Sequence, residues 1–538
     1  MLMKNYIIPS FLLLLCMNLS AQPAVGFRGD FNNPGNFNSP DIRTPEILWK
    51  HRTEGQVFSS PVVYGGVVYI GSNDRCMYAL DASTGAAFWK FEAKGCIKSS
   101  PAVDETTVYF GALDSTFYAV DRQSGLEKWH FRMRNECFHK AVGLFGLNTG
   151  NAEQIDPWDF YFSSPVIEGN RLYVGSGDSS IYCLDKTMGT KLWEFKTGGV
   201  VHSSPVVWDG MVFCGSWDSK IYAFNALTGK PVWEYLAGTD TIYNCFNGFQ
   251  ASPVIADGIL YCGSRDAAMY ALDAKTGKLI WRTYDPGMSW FPSSVSVRGN
   301  YLYTGSSDAH KFYCFNRTTG YIEYYRNTWS YTFSSPALSE NAAYIGSANG
   351  RLYCIELSSG NLNWTIQSDA SRTSLFVDAY GKQSRKFYTD MYDYGMGWEN
   401  TKHVERLCSA NGAVFSTPFV SNRVVYFGST DGYVYAISNK DGSTIQPGKF
   451  LKAEVRKVVS GYELSYEVKH PGPVTVRVVS FKDGKYTHIK DLFMASREPG
   501  TNSQSWDKTD KEGQPAGDGI YFFELITDDM GRFISCQL

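Results

Sequence analysis

Four residues of this chain have side chains suited to proton transfer or to binding an anion: His139, His202, Tyr243 and Arg372. A His or Tyr can remove the proton beside the carboxylate of a uronic acid, and a cation can stabilise the enolate that forms. Together the four residues would support a polysaccharide-active enzyme, such as a lyase. No local motif links them, so this chemistry depends on the fold bringing them into one site.

A larger set of charged and aromatic residues accompanies these four. Rings can stack on a ligand and charges can orient it, so the mixture is typical of a surface that binds a carbohydrate or a peptide. The alternative is a group of loops that only cap the fold. The candidate ligand-binding residues are Lys98, His139, Trp158, His202, Tyr243, Arg372, Tyr392, Trp398 and His403.

The sequence predicts no metal site. Its His and Cys residues match no zinc motif. An acidic residue recurs at one place in repeated segments, which could indicate cation binding, but such a residue is better explained by the turn that it stabilises. These residues are Asp74, Asp114, Asp178, Asp218, Asp266, Asp308 and Asp431, with Asn349 in the seventh segment.

The elements that carry these residues come from an internal repeat. A period of about forty residues, made of short strands, indicates a β-propeller. We predict an all-β fold, an eight-bladed propeller of four-stranded antiparallel blades, over residues 46–447. Each copy begins with Ser-Pro or an equivalent pair, at Ser60, Ser100, Ser164, Ser204, Ser252, Ser294, Ser335 and Thr417.

The ends of the repeat region predict how the ring closes. Most copies carry a Trp in the outer strand, but the last copy has Gln446 there. Another Trp, Trp49, precedes the first copy and has no strands of its own upstream. We predict that the segment around Trp49 forms the outer strand of the eighth blade, which removes an exposed sheet edge.

Three intervals between copies are longer than the others, and each excess lies between an outer strand and the next inner strand. These connections share one face of a propeller, which we call the decorated face, and loops on a rigid scaffold often carry function. The extra segments are roughly Met133–Tyr161, a short loop around Tyr243, and Arg372–Arg406. Lys98 and His202 should lie at the channel mouth on this face, where a His is either structural or catalytic.

The motif Ala-x-Asp-x-x-Thr-Gly-x-x-x-Trp, at Ala79–Trp89 and Ala271–Trp281, resembles the repeat of pyrroloquinoline-quinone-type propellers. This resemblance implies that the repeated Trp docks one blade against the next. Two groups share the repeat: quinone-dependent alcohol and sugar dehydrogenases, and non-enzymatic envelope proteins such as the propeller subunit of the outer-membrane β-barrel assembly machine.

The first of these groups would imply a quinone cofactor with calcium. Its members generally have two adjacent Cys residues, which form a disulfide beside the cofactor, and acidic and Asn ligands for the metal. This chain has no Cys-Cys pair, and no motif identifies the calcium ligands. We therefore predict no cofactor, and quinone plus calcium is disfavoured because repeat resemblance alone does not imply a site.

The N-terminus predicts export. An apolar run follows Lys4, and small residues precede a cleavage point after Ala21, as in a secretory signal peptide spanning residues 1–21. A lipid anchor at Cys16 is the alternative. Residues 22–45 form an N-terminal extension, and no later segment is long and apolar enough to cross a membrane.

Residues 452–538 predict a second, smaller domain. Alternating apolar residues indicate strands, for example at Tyr462–Tyr466 and Val474–Val478. Trp506-Asp507 and Gly519-Ile520-Tyr521 resemble parts of the immunoglobulin-like domain of the flagellar hook-capping protein, and also the C-terminal sorting domains of exported Bacteroidetes proteins. We predict an immunoglobulin-like β-sandwich.

These observations favour a binding protein over an enzyme. A formal net charge of −3 argues against a nucleic-acid partner, which would call for a basic surface. We predict an exported, non-catalytic scaffold of the periplasm, outer membrane or cell surface that binds an envelope or surface protein, or a glycan, through the decorated face. A polysaccharide lyase is the alternative, and a quinone-dependent dehydrogenase is less favoured.

Overall fold

The computed structural model describes residues 23–30, 34–148, 150–392, 398–440 and 453–536. The predicted signal peptide, Cys16, Gln446 and the predicted end of the propeller at residue 447 lie outside them. Within the described residues, none of the helices is long and apolar enough to span a bilayer.

The repeat region folds into four-stranded antiparallel sheets, which confirms the predicted all-β propeller class. We call the sheets blades 1 to 8, each given from its inner to its outer strand. The strands are Val62–Tyr64, Val67–Gly71, Cys76–Asp81 and Ala87–Glu92; Ala102–Val103, Thr107–Ala112, Thr116–Asp121 and Glu127–Arg132; Val166–Glu168, Arg171–Ser176, Ser180–Asp185 and Lys191–Lys196; Val206–Trp208, Met211–Gly215, Lys220–Asn225 and Pro231–Leu236; Val254–Ala256, Ile259–Gly263, Ala268–Asp273 and Leu279–Tyr284; Ser296–Arg298, Tyr301–Gly305, Lys311–Asn316 and Ile322–Asn327; Ala337–Leu338, Ala342–Gly346, Arg351–Glu356 and Leu362–Gln367; and Phe419–Ser421, Val424–Gly428, Tyr433–Asn439 and Pro45–Arg52.

The Ser-Pro motif joins the blades around the central channel. The backbone N–H of Ser60 donates to the hydroxyl of Ser100 at 3.1 Å, and the same bond recurs from each copy to the next. The backbone N–H of Thr417 then donates to the hydroxyl of Ser60 at 2.9 Å. These eight bonds close a ring, which supports the predicted count of eight blades.

The two ends of the repeat region pair as predicted. Pro45–Arg52 lies antiparallel to Tyr433–Asn439, with Lys50 opposite Tyr435, so the N-terminal strand completes blade 8. This confirms the closure that Trp49 indicated. It also leaves the ring without an open edge at the junction of its ends.

The outer-strand Trp residues dock each blade against the next one. The indole N–H of Trp89 donates to the carbonyl of Arg122 at 3.0 Å, and the ring packs on Gly125. Gly125 has a φ of 71°, and a Cβ there would lie 2.7 Å from the Trp89 ring, so the turn needs glycine. Trp364 donates instead to the carbonyl of Ile42, in the N-terminal extension.

The N-terminal extension follows the face opposite the decorated one. Val25 pairs with Val103 at the end of an inner strand, and the buried Arg28 donates to the Val295 carbonyl and the Ser296 hydroxyl. Phe37 packs edge-on against Phe419, with ring centroids 4.6 Å apart. The extension therefore contacts several blades of the ring.

The three insertions pack together on the decorated face. The first contains a two-stranded hairpin, Lys140–Val142 with Glu153–Ile155, and a 3-10 turn at Leu144–Gly146. The last forms three helices, α1 Asp369–Thr373, α2 Arg385–Tyr392 and α3 Trp398–Asn411. Their buried side chains share one apolar cluster: Leu144, Trp158, Phe160, Cys245, Phe387, Val404, Leu407 and Cys408.

The C-terminal residues form two sheets around a shared apolar core that includes Leu464, Val476 and Phe523. Their class as an immunoglobulin-like domain stays a prediction. One sheet extends blade 6, because Met530–Ser535 pairs antiparallel with the outer strand Ile322–Asn327. The strands are Ala453–Val458, Gly461–Val468 and Gly500–Trp506 in one sheet, and Gly472–Lys482, Lys485–Arg497, Ile520–Thr527 and Met530–Ser535 in the other.

Candidate functional site

An open pocket of about 410 Å³ lies on the decorated face. Its walls come from two of the insertions, from the loops that lead into blades 6 and 7, and from the turn between the second and third strands of blade 6. A pocket of this volume is in the usual range for a ligand site. The lining residues are Phe145, Trp158, Tyr243, Cys245, Phe246, Met288, Trp290, Ser307, Asp308 and Tyr331.

Trp158 is fixed in the wall of this pocket by polar contacts of its backbone. Its N–H donates to the Asp156 carboxylate at 2.9 Å, and its carbonyl accepts from the Gln250 side chain at 2.7 Å. The indole ring lies 4.8 Å from the Tyr331 ring, between centroids. Trp158 is buried, so it shapes the pocket more than it projects into solvent.

Tyr243 stands at the rim of the pocket. The Asp240 carboxylate accepts from the backbone N–H groups of Ile242 and Tyr243, at 2.9 and 3.1 Å, and this holds the short loop in shape. The carbonyl of Tyr243 accepts from Gly146 of the first insertion at 3.2 Å. The Tyr243 side chain is exposed.

Arg265 lies fully buried behind the pocket. Its guanidinium is sandwiched between the rings of Trp217 and Trp290, 4.5 and 3.7 Å from their centroids. It also forms an ion pair with the buried Asp156 carboxylate. The stacking and the ion pair give the pocket wall a rigid base, since a buried charge is stable only when it is paired.

His202 and His139 both contact the Asp159 carboxylate, His202 through its ring and His139 through its backbone N–H. His202 contacts Asp159 through Nδ1 at 2.8 Å and Glu136 through Nε2 at 3.2 Å, and the His202 side chain is fully buried. Burial opposes the charged ring, but the two carboxylates outweigh it and raise the pKa of His202 to about 10. His202 therefore acts as a buried cation that ties the first insertion to the ring.

His139 has the opposite electrostatics. Its ring stacks on Trp217, with centroids 4.3 Å apart, and its backbone N–H donates to Asp159 at 2.6 Å. Burial lowers the pKa of His139 to about 4, although Asp156 and Asp159 act in the other direction. It is therefore neutral at pH 7.

The remaining predicted site residues are dispersed. The Lys98 ammonium lies 2.6 Å from the Glu405 carboxylate of α3 and above the Phe58 ring, so it anchors the long insertion. His403 Nε2 lies 2.8 Å from the carbonyl of Asp390. Arg372 is exposed in the last turn of α1, and the neighbouring Ser371 hydroxyl donates to the Asn349 carbonyl of blade 7. The side chains of Tyr392 and Trp398 lie outside the described residues.

The repeated acidic residue has the predicted structural role in most blades. In blades 1 to 5 and 8 its carboxylate accepts from the Tyr hydroxyl four residues later, as between Asp114 and Tyr118 at 2.6 Å. In blade 7, Asn349 donates to the Tyr353 hydroxyl. Blade 6 differs, because the Tyr313 hydroxyl donates to Asp285 instead. The repeat residue of this blade, Asp308, lines the pocket.

Aromatic side chains fill the channel mouth. Phe415 stacks on Phe58, Phe160 and Phe333, with centroids 5.1 to 5.9 Å apart, and the space inside the ring of Ser hydroxyls is about 20 Å³. That volume is too small for a tricyclic quinone. Among the described residues, no three His, Cys, Asp or Glu side chains are grouped to hold a metal ion.

The repeated four-stranded blades and their Trp docking define a propeller of the pyrroloquinoline-quinone repeat class. The chain belongs to the family described as outer membrane protein assembly factor BamB, whose model matches residues 39–146 and 153–366. A search of curated protein sequences finds no match.

Solved structures show the same fold at low sequence identity. BamB from Moraxella catarrhalis is 16% identical, with a TM-score of 0.53, covering 74% of this chain and 99% of that one. The quinohemoprotein alcohol dehydrogenase ADHIIG from Pseudomonas putida HK5 is 13% identical, with a TM-score of 0.55, covering 80% and 82%. The corresponding enzyme from Comamonas testosteroni is 14% identical, with a TM-score of 0.54, covering 80% and 83%.

Proposed function

We propose that this protein is an exported, non-catalytic scaffold of the cell envelope that binds a protein partner through the decorated face. The observation that carries this proposal is the construction of that face. Separate insertions pack into one cluster and form an open aromatic pocket, while the His202 side chain is fully enclosed and His139 is half-buried against Trp217. Such a surface is preorganised to bind a partner.

Membership of the BamB family supports a protein partner and a location at the outer membrane, on its periplasmic side. A glycan is the alternative ligand. The lyase alternative would combine the exposed Tyr243 with His139 or His202, but His202 already holds two carboxylates and His139 stacks on Trp217. The quinone alternative would need space on the channel axis that aromatic side chains occupy.

In-cell photocrosslinking tests the proposal. A photoreactive amino acid replaces Ile242, which is 76% exposed beside the pocket, or Leu126, which is 71% exposed on the opposite face. We expect a discrete protein adduct from position 242 and none from position 126. Equal adducts from both positions, or none from 242 in a folded and exported chain, would contradict binding through the decorated face.

A further inference from the structure

The acidic residue of the repeat is fully used in a regular blade. The Asp114 carboxylate accepts from the backbone N–H of Lys94 at 3.0 Å, from that of Thr116 at 2.9 Å and from the Tyr118 hydroxyl at 2.6 Å. Three donors therefore hold this side chain in its turn. The Asp114 carboxylate therefore stabilises the turn rather than binding a ligand.

Each of these three donors is missing or redirected at Asp308 in blade 6. The turn is one residue longer, so the Tyr lies five positions on, and Tyr313 donates to the buried Asp285. The position of Lys94 is taken by Pro286, which has no N–H. The N–H of His310, two residues after Asp308, donates to the Ser307 carbonyl at 3.0 Å.

Asp308 is thereby released from the turn and exposed at the pocket. Desolvation by the surrounding protein raises the pKa of Asp308, while a hydrogen bond from Ser307, which also lines the pocket, and the charge of Arg265 act in the other direction. Asp308 is the one charged side chain among the described residues that line this pocket. Arg265 behind it is enclosed and paired with Asp156, so it offers no exposed positive charge.

The other walls reinforce this negative charge. Six aromatic residues line the pocket, Phe145, Trp158, Tyr243, Phe246, Trp290 and Tyr331. The faces of aromatic rings carry partial negative charge and attract cations. A hydroxyl-rich sugar would require many hydrogen-bond partners, whereas the lining offers few, so the pocket favours a compact cation with an apolar stem.

We propose that this pocket binds the side chain of an Arg or Lys residue on the partner protein. The aliphatic stem would pack between the rings, and the guanidinium or ammonium group would pair with the Asp308 carboxylate. This inference rests on the proposed function and adds the chemical class of the contact. It gives Asp308 a binding role that the same repeat position does not have in blades 1 to 5.

Peptide titration of the purified mature chain tests the inference. The probe is acetyl-Gly-Arg-Gly-amide or its Lys equivalent, with Leu and Glu equivalents and methyl glucoside for comparison, followed by calorimetry and Trp fluorescence. We expect the cationic peptides to bind, and Asp308→Asn to weaken them roughly tenfold, the usual effect of losing one charge-assisted contact. The matched control is Asp114→Asn, which should lower stability and leave binding unchanged.

Preferential binding of the Leu peptide or of the glucoside would overturn the inference, as would an unchanged affinity in Asp308→Asn. Failure of every probe would overturn it as well. The proposed function fails separately, because it depends on the crosslink from position 242. A crosslinked partner without cation binding would retain the scaffold and remove only the Arg or Lys contact.

Discussion

At the scale of single residues, the same side chain type has different roles according to its neighbours. Asp114 and Asp308 occupy equivalent repeat positions, yet one is held by three donors and the other lines a pocket. His202 and His139 share Asp159, yet the pKa of one is raised and that of the other is lowered. Burial dominates at His139, whereas two carboxylates contact the His202 ring directly and outweigh burial there.

The raised pKa of His202 predicts a pH-dependent stability. Because its pKa rises from 6.5 to about 10 on folding, its stabilising contribution is complete below pH 6.5 and is lost as pH rises through about 10. We expect His202→Gln to lower the free energy of unfolding by about 3 kcal/mol near pH 6, as for a broken buried ion pair. The difference from the wild type should shrink toward pH 10.

Denaturant unfolding from pH 6 to pH 10 measures this difference, and the exposed His130 provides the control. His130→Gln should change the free energy of unfolding little at any pH. A constant difference between wild type and His202→Gln across the range would show that the ring is not a buried cation.

At the scale of elements, an outer-strand Trp packs on the turn glycine of the next blade at several places around the ring. Gly125 and Gly169 both have positive φ, of 71° and 56°. A Cβ at Gly125 would lie 2.7 Å from the Trp89 ring, whereas a Cβ at Gly169 would have no atom within 4 Å. The two positions therefore separate backbone strain from inter-blade packing.

We expect Gly169→Ala to cost about 1 kcal/mol of stability, because a side chain disfavours positive φ. Gly125→Ala should cost about 2 kcal/mol more, because it also forces Trp89 out of its contact. Denaturant unfolding of both variants measures the difference. Equal losses would mean that the Trp contact adds nothing to the stability of the ring.

At the scale of the whole molecule, the C-terminal sheet is an integral extension of blade 6. Tyr325 lies opposite Gly531 across the joined strands, and a Cβ at Gly531 would lie 2.3 Å from the Tyr325 ring. The Tyr325 hydroxyl also contacts Glu524 at 3.3 Å, and Asn327 donates to the Asp529 carbonyl at 2.8 Å. Blade 6 thus carries both the altered turn at Asp308 and the C-terminal domain.

We expect Gly531→Ala to loosen this junction and to raise hydrogen exchange in Ile322–Asn327, because the strand pairing depends on close approach. Gly517→Ala is the matched control, since a Cβ there would have no atom within 4 Å. Exchange mass spectrometry measures both variants. Unchanged protection of Ile322–Asn327 in Gly531→Ala would mean that the strand junction tolerates the added side chain.

Much of the fold could be predicted from the repeat, because each motif residue makes its contact within its own blade or with the next one. The Trp49 segment could be placed by the absence of its counterpart in the last copy. The site could be predicted less well from the sequence. The pairing of His202 with Asp159 and Glu136 depends on how the first insertion packs against the ring. The longer spacing from Asp308 to Tyr313 was visible in the sequence, but its meaning required the redirected bond to Asp285.

The most direct test of binding at the decorated face is the yield of the crosslink from position 242, compared in three backgrounds. We predict that Asp308→Asn removes most of the adduct per molecule of folded protein, while Asp114→Asn leaves that yield unchanged despite its lower stability. An adduct that persists in Asp308→Asn, or that falls equally in both variants, would contradict the assignment of partner binding to this pocket.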